Sequence, residues 1–325
     1  MEKIVPFIVG PTGVGKTELS VLLADRLPIE IVSADSRQIY RYMNIGTAKP
    51  DADILKRIPH HFIDSLDPDE YYSSGMYSDE ARKVIDEIFH RGKLPIVVGG
   101  SGFYIKSLVD GICKLDARDE KVRISLRHRI MQEGVEALHE ELAAVDPVLA
   151  RSITQSDRQR IIRGLEVFIV TGKKLSEWHE DNGEAAGFKP RIFGIQMSRQ
   201  LLYDRINKRV DQMINDGLLI EITRLESMGY GSELNSLNTV GYKEVFQYFQ
   251  NEITLEEMID QIKRNTRHYS KRQMTWFKKD DRIVWKEIFD ESSVRTIAEE
   301  LMPVFGSILE HNYGTELERI NNNTE

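Results

Sequence analysis

One cysteine stands in the whole chain, Cys113, and that scarcity excludes both an internal disulfide and a cysteine-built zinc site. It is read as a packing residue in a reducing compartment. No basic leader, long apolar run or small-residue cleavage site precedes the strand-like Ile4–Val9, so secretion and membrane insertion are not expected and the cytoplasm is. An excess of positive charge is missing too. The net charge is −8 over 325 residues, which argues against indiscriminate binding of nucleic acid and directs attention to where the basic residues collect. No internal repeat is visible, and His60-His61 lacks a third ligand in the sequence around it, so the pair is read as structural rather than as a metal site. What is present is the balance of an ordinary globular protein, 41% hydrophobic and 30% charged, at a length that suits one large domain with an insertion or two domains.

The first third alternates short apolar runs with amphipathic stretches: strands over Ile4–Val9, Ile29–Ala34 and Leu94–Val98, helices over Lys16–Leu27 and Ser73–His90. This rhythm predicts an α/β fold, a P-loop NTPase-like parallel sheet flanked by helices. Gly99-Gly100 followed by Ser101-Gly102 sets a second glycine-rich turn at a strand's carboxyl end, the side on which open α/β sheets bind ligands. From Asp119 to Lys189 the strand signal disappears, and an inserted all-helical subdomain is expected over 119–189, with Ser156-x-x-Gln159 as the capping box of a helix through Val170. Residues 1–118 and 190–310 then form the core. In it a strand returns over Ile192–Gln196, Ser198 caps a helix bearing Leu202, Ile206, Val210 and Met213, and Thr254-x-x-Glu257 opens a long helix before a strand over Ile283–Trp285. Residues 311–325 read as a flexible tail.

Gly10-Pro11-Thr12-Gly13-Val14-Gly15-Lys16-Thr17 fits G-x-x-x-x-G-K-[ST] between a strand and a helix, the context that motif requires. Its glycines free backbone N–H groups to face an anion, the helix start adds positive potential, Lys16 reaches terminal phosphates and Thr17 can ligate Mg²⁺. A phosphate-loop ATPase places a metal-holding acid at the end of a second strand, yet Leu94–Val98 runs into Gly99-Gly100-Ser101. The carboxylate stands instead at Asp35, after Ile29–Ala34, where a general base and a cap for the next turn are equal readings. Arg158, Arg160 and Arg163 share a helix, for which a solvated face is the simpler reading, and Arg205, Lys208 and Arg209 pose the same choice. Lys263, Arg264, Arg267, Lys271, Arg272, Lys278 and Lys279 run without an acid among His268, Tyr269, Trp276 and Phe277, the best nucleic-acid candidate in the chain, although Trp276 and Phe277 suit packing better than stacking.

Taken in order, these segments resemble the bacterial tRNA dimethylallyltransferases, also called isopentenyl-diphosphate:tRNA transferases. The resemblance rests on Gly10–Thr17, Asp35-Ser36-Arg37-Gln38-Ile39-Tyr40, Asn44-Ile45-Gly46-Thr47-Ala48-Lys49-Pro50, Gly99–Tyr104, Asp157–Thr171, Asp211–Ile222, Thr239–Tyr242 and Lys271–Trp276, and so covers nearly the whole chain. It implies transfer of a dimethylallyl group from its diphosphate to the exocyclic amine of the adenosine 3′ of the anticodon, with release of diphosphate and no use of ATP. It further implies that Gly10 to Thr17 hold the diphosphate and that Asp35, Thr17 and Arg209 are catalytic, with Mg²⁺ at Thr17 as cofactor. Asp35, Ser36, Arg37, Gln38, Ser101, Arg123, Gln159, Arg160, Ile161, Ile162 and Arg163 would face the tRNA, and Asn238, Thr239, Val240, Gly241, Tyr242 and Lys243 would lie near the anticodon stem-loop. The helical insertion would contact tRNA, and the protein would act as a monomer without a membrane. The family commonly has threonine at the position of Ser101 and leucine at that of Phe103. Three rivals stay open: a small-molecule kinase, an adenylate prenyltransferase with a free nucleotide as acceptor, and a nonenzymatic RNA-binding protein.

Overall fold

The computed structural model describes residues 2–113, 115, 117–180, 183–290 and 292–314. They divide into two compact units, one of residues up to 109 together with those from 186 onward, the other of 110–185. The first unit opens with β1 (Ile4–Val9), α1 (Lys16–Ala24), β2 (Ile29–Ala34), α2 (Ala52–Arg57), β3 (His60–His61), α3 (Ser74–His90), β4 (Leu94–Gly99) and α4 (Gly102–Asp110). The second holds α5 (Glu120–Glu133), α6 (Val135–Val145), α7 (Pro147–Ser152), α8 (Arg158–Thr171) and α9 (Leu175–Glu180). The chain then returns through β5 (Lys189–Met197), α10 (Arg199–Asn215), α11 (Leu218–Ser227), α12 (Tyr242–Phe249), α13 (Leu255–Phe277), β6 (Val284–Ile288) and α14 (Ser293–Tyr313).

All six strands are parallel, in the order β3-β2-β4-β1-β5-β6. The central strands β1 and β4 are apolar on both faces because helices cover both. Val5, Phe7, Val9, Val32 and Ala34 face one layer, built with residues of α3, α4, α11, α12 and α13. Their neighbours Ile8, Ile29 and Ile31 face the other, built with Leu19 and Leu23 of α1 and with Val294, Ile297, Leu301 and Phe305 of α14. Alternate side chains of a strand thus feed separate cores, each fully buried large one contributing about 1.5–3 kcal/mol. The second unit closes around its own core, with Leu126, Leu138, Leu142, Ile161 and Leu165 at the centre.

Several boundaries differ from the sequence expectation, each for a local reason. Helix α1 ends at Ala24, short of Leu27, since Pro28 disfavours helical geometry in the residue before it. Strand β5 begins at Lys189 because Ile4 of β1 pairs with it there, and β6 runs on to Ile288 opposite Met197. Helix α8 is capped by Asp157, whose carboxylate accepts from the Arg160 amide, so the Ser156-x-x-Gln159 box does not form. A carboxylate one residue later is the stronger partner for the helix start. Ser198 caps α10, and Thr254 with Glu257 forms the capping box of α13, as expected. The expected tail begins too early: α14 continues to Tyr313, where the Asn312 side chain bonds both backbone groups of Ile4 and the Tyr313 hydroxyl donates to Phe89 and Lys93 carbonyls. Residues 315–325 of that tail lie outside the described residues.

Candidate active site

The parallel sheet brings the carboxyl ends of β1, β2, β4 and β5 to one edge, and a cleft of about 680 Å³ opens there. Its floor is the turn after β1. Gly13 and Gly15 have φ of 81° and 102°, a conformation that side-chain-bearing residues avoid, and Gly15 is the N-cap of α1. A Cβ on Gly10 would approach the Ile195 carbonyl oxygen to 2.6 Å, so the loop can lie this close to β5 only with glycine at that position. Lys16 folds back to donate to the Gly10 and Pro11 carbonyls, at 2.9 and 2.8 Å. Burial lowers its pKa to about 8; Asp35 opposes the shift and Arg209 adds to it. Thr17 is exposed at the first turn of α1.

Helix α10 reaches over the loop. Its Leu202 and Ile206 pack in one core and its Val210 in the other, so the helix passes across the carboxyl edge of the sheet, and a Cβ on Gly13 would meet Ile206 at 3.1 Å. Arg205, Lys208 and Arg209 therefore line the cleft with Lys16. Burial depresses the pKa of Arg209 while Asp35 counters it, the expected response of a cation withdrawn from water beside a carboxylate.

Asp35 faces this cationic wall from the end of β2. The two equal readings of Asp35 turn out to be compatible. Its Oδ1 accepts from the amides of Arg37 and Gln38, at 2.9 and 3.3 Å, which caps the turn. No described residue bonds Oδ2. After β4 there is no acid, and a Cβ on Gly99 would meet the Ala34 carbonyl oxygen at 2.1 Å, so glycine is required by the closeness of β2. The Ser101 hydroxyl accepts from the Ser36 amide and so ties the second glycine turn to the Asp35 turn.

The structure gathers some expected residues and separates others. Thr12, Gly13, Gly15, Lys16, Thr17, Asp35, Gln38 and Arg209 line one cleft, with Gly10, Pro11 and Val14 in the same loop. Gln38 donates to the Thr47 and Ala48 carbonyls, so its amide holds the segment that walls the cleft. Arg37 donates to the Asn235 carbonyl, next to the segment of Asn238, Thr239, Val240, Gly241, Tyr242 and Lys243. In that segment Lys243 and Asn238 are exposed, while Tyr242 is buried and bonded to Glu221. A direct side-chain contact from Tyr242 to RNA is thereby excluded. The remaining expected residues belong to the helical unit. Gln159 and Arg160 are exposed, but Ile161 is fully buried in that unit's core and has no surface to offer, and Ile162 packs against the same core. Arg123 and Arg163 both bond the buried Glu166, whose pKa they hold down against the cost of burial.

Sequence reasoning assigned no role to Glu221 or Gln273. Glu221 accepts from the amides of Asn44, Ile45 and Gly46 and from the Tyr242 hydroxyl, which shapes the wall of the cleft. Both residues stand inside segments that looked distinctive, and only the fold shows what they touch. Of the basic stretch, Lys263 pairs with Asp211 and Arg267 bonds Asn207, both on α10, leaving Arg264, Lys271, Arg272, Lys278 and Lys279 exposed. Phe277 is buried; Trp276 is 40% exposed although its ring packs on Gly102 and Phe103, so it keeps a face for another molecule. His60 lines the cleft with its Nδ1 on the Ile58 carbonyl, and His61 bonds buried Glu30.

Among the described residues no group of three histidine, cysteine, aspartate or glutamate side chains could hold a metal ion. The hydroxyl of Thr17 and the carboxylate of Asp35 fit only an ion that takes most of its ligands from phosphate oxygens and water, which is how Mg²⁺ is usually held at such loops. No described helix is long and apolar enough to cross a membrane.

Residues 38–280 match the family model described as IPP transferase. A tRNA dimethylallyltransferase of Thermotoga neapolitana is 47% identical over 280 residues, covering 85% of this chain and 90% of its own. One of Geobacter sulfurreducens is 45% identical over 303 residues, covering 92% and 96%. Among solved structures, the tRNA isopentenylpyrophosphate transferase of Bacillus halodurans aligns with a TM-score of 0.70 at 39% identity, over 98% of this chain and 100% of that one. A eukaryotic dimethylallyltransferase described as acting on tRNA aligns with a TM-score of 0.74 at 28% identity, over 92% and 78%. With most of its length inside the family model and relatives of this similarity across nearly all of it, the chain belongs to the IPP transferase family.

Proposed function

We propose that the protein transfers a dimethylallyl group from dimethylallyl diphosphate to the exocyclic amine of the adenosine 3′ of the anticodon in tRNA, releasing diphosphate, and that it does so in the cytoplasm as a monomer. One observation carries this reading: a phosphate loop, four cationic side chains and, at the end of β2, the carboxylate of Asp35 line a single cleft, without the acid that an ATPase sets after its second strand. The diphosphate takes the loop N–H groups and the start of α1, and Lys16 exchanges the Gly10 and Pro11 carbonyls for phosphate oxygens. Arg209 meets the charge that grows on the bridging oxygen as the allylic C–O bond breaks. Asp35 accepts the proton that the amine loses as its nitrogen bonds to the allylic carbon; Oδ2 serves, since Oδ1 is engaged by the turn. Thr17 would help to hold Mg²⁺, which when bound would supply further charge neutralisation on the leaving group.

The adenosine must leave its stack to reach the cleft, at a cost of about a few kcal/mol that pocket contacts offset. The exposed Lys271, Arg272 and Trp276 supply phosphate and base contacts for the RNA. The deciding assay incubates the protein with Mg²⁺, dimethylallyl diphosphate and either an anticodon stem-loop or AMP, without ATP. Modified stem-loop is the expected product; transfer to AMP alone would identify an adenylate prenyltransferase instead.

A further inference from the structure

Helix α13 carries Tyr269, Gln273 and Trp276 at helical spacing, so the three share one face. That face lies against both glycine turns. The Trp276 ring packs where a Cβ on Gly102 would stand, 2.2 Å from its nearest atom, and Tyr269 is close enough to Asp35 to feel its charge. Between them Gln273, 8% exposed, extends its amide into the gap between the loops. Its Oε1 accepts from the Thr12 amide at 2.8 Å, and its Nε2 donates to the Gly100 carbonyl at 2.9 Å.

We infer that Gln273 is a positioning residue for the diphosphate site: through one side-chain amide it sets the shape of the phosphate loop against the turn after β4. The inference rests on the reading of Gly10 to Thr17 as the diphosphate loop. A carboxamide is the group that fits, because one end must accept and the other donate. Glutamate would set a carboxylate oxygen against the Gly100 carbonyl, and methionine would leave a buried amide and a buried carbonyl without partners. Gln273 holds the Thr12 amide, while the amides of Gly13, Val14, Gly15 and Lys16 have no backbone partner among the described residues. Releasing it lets the loop reorient, and pre-organisation is lost before any ligand arrives. Because the amide sits on the helix that also carries Lys271, Arg272 and Trp276, the diphosphate loop and the exposed basic face share one rigid support.

The test uses the full chain and inorganic pyrophosphate with Mg²⁺, whose binding by calorimetry needs no prenyl transfer. Gln273→Met should weaken pyrophosphate binding by roughly tenfold, the range expected for two buried groups left unpaired, while stem-loop affinity stays within about twofold. Gln273→Glu should show a similar deficit at pH 8 that narrows as the pH falls towards 5, since burial against the Gly100 carbonyl favours the protonated carboxyl, which again offers one donor and one acceptor; the ratio to the natural protein at each pH is the readout. If Gln273→Met does not fold, Gln273→Glu alone decides through that ratio. Unchanged pyrophosphate affinity, a flat ratio across pH, or a natural protein that binds no pyrophosphate overturns the inference. Loss of stem-loop binding with pyrophosphate binding intact also overturns it, assigning Gln273 to the RNA side. Failure of the natural protein to transfer the prenyl group, with pyrophosphate binding behaving as described, counts against the proposed reaction alone.

Discussion

Lys16 carries the clearest proton signature in the cleft. Its folded pKa of about 8 lies below the ordinary 10.5, so between those values the unfolded chain holds more proton than the folded one. Stability therefore rises with pH through that window, and Lys16 contributes none of the gain below about 8. A bound diphosphate restores the favour for the charged form, so pyrophosphate binding near pH 8 should take up protons. Calorimetry in two buffers of different ionisation heat should give different apparent enthalpies; equal enthalpies would mean that Lys16 does not titrate on binding. Asp35 can be dissected by its two oxygens. Asp35→Asn keeps an acceptor for the Arg37 and Gln38 amides and removes the base, so turnover should fall by roughly a hundredfold to ten-thousandfold with melting unchanged. Asp35→Ala should lose the cap as well, about 1 kcal/mol of stability, visible as a lower midpoint than that of Asp35→Asn.

At the scale of elements, the segment from Ser36 to Pro50 shows how little of a cleft wall can be deduced from its own residues. It contains no regular element, and Tyr42 and Ala48 have φ of 67° and 46°. Its conformation is set from outside by Glu221 of α11, which accepts from three successive amides, and from within by Gln38, which donates to two carbonyls. Glu221→Ala should cost about 2–3 kcal/mol, since amides and a buried hydroxyl lose a charged acceptor, and should raise the donor KM as the wall loosens. An unchanged melting midpoint and KM would show that the segment holds its own shape. Strands β1 and β2 and the phosphate loop were legible because their pattern is local: apolar runs, then glycines ahead of a helix. The bonds made by Glu221 were not, because they join residues about 175 positions apart and leave no periodic trace. Helix α13 lies between these cases. Its capping box and basic run were readable, but only packing reveals that Arg267 is held by Asn207 while Lys271 and Arg272 are exposed. Lys271→Ala with Arg272→Ala should flatten the salt dependence of tRNA binding by roughly one unit of slope for each phosphate that is no longer neutralised, and Arg267→Ala should do so less. Equal slopes for both would remove the distinction.

For the whole molecule, the informative fact is that each unit buries carboxylates of its own, Glu30 and Glu244 in the first and Asp146 and Glu166 in the helical one. In the helical unit Glu166 is fully buried, bonded by Arg123, Arg163 and the Asp119 amide. Glu166→Ala strands two arginines at the edge of that core and should destabilise the protein by about 3–5 kcal/mol, measured by thermal unfolding with the cleft's pyrophosphate affinity as a control. Unchanged stability would instead favour assigning Arg123 and Arg163 to the RNA, as the family resemblance implies. The helical character of this unit was legible from the loss of strand pattern, but the role of its arginines was not, because a run of basic residues looks the same whether it faces solvent or a hidden acid.

The sheet order has a consequence for the order in which the protein is made. The first strand synthesised, β1, ends up between β4 and β5, and Gly10 rests against Ile195, while the Thr12 amide waits for Gln273. A chain emerging from the ribosome therefore leaves β1 unpaired until β4 and β5 have been made, and the glycine loop without its Gln273 contact until some 260 further residues have been translated. Such distant pairings are slow to close, because the entropy of the loop is lost before the contacts form. The proposed diphosphate site is thus completed long after its motif is translated.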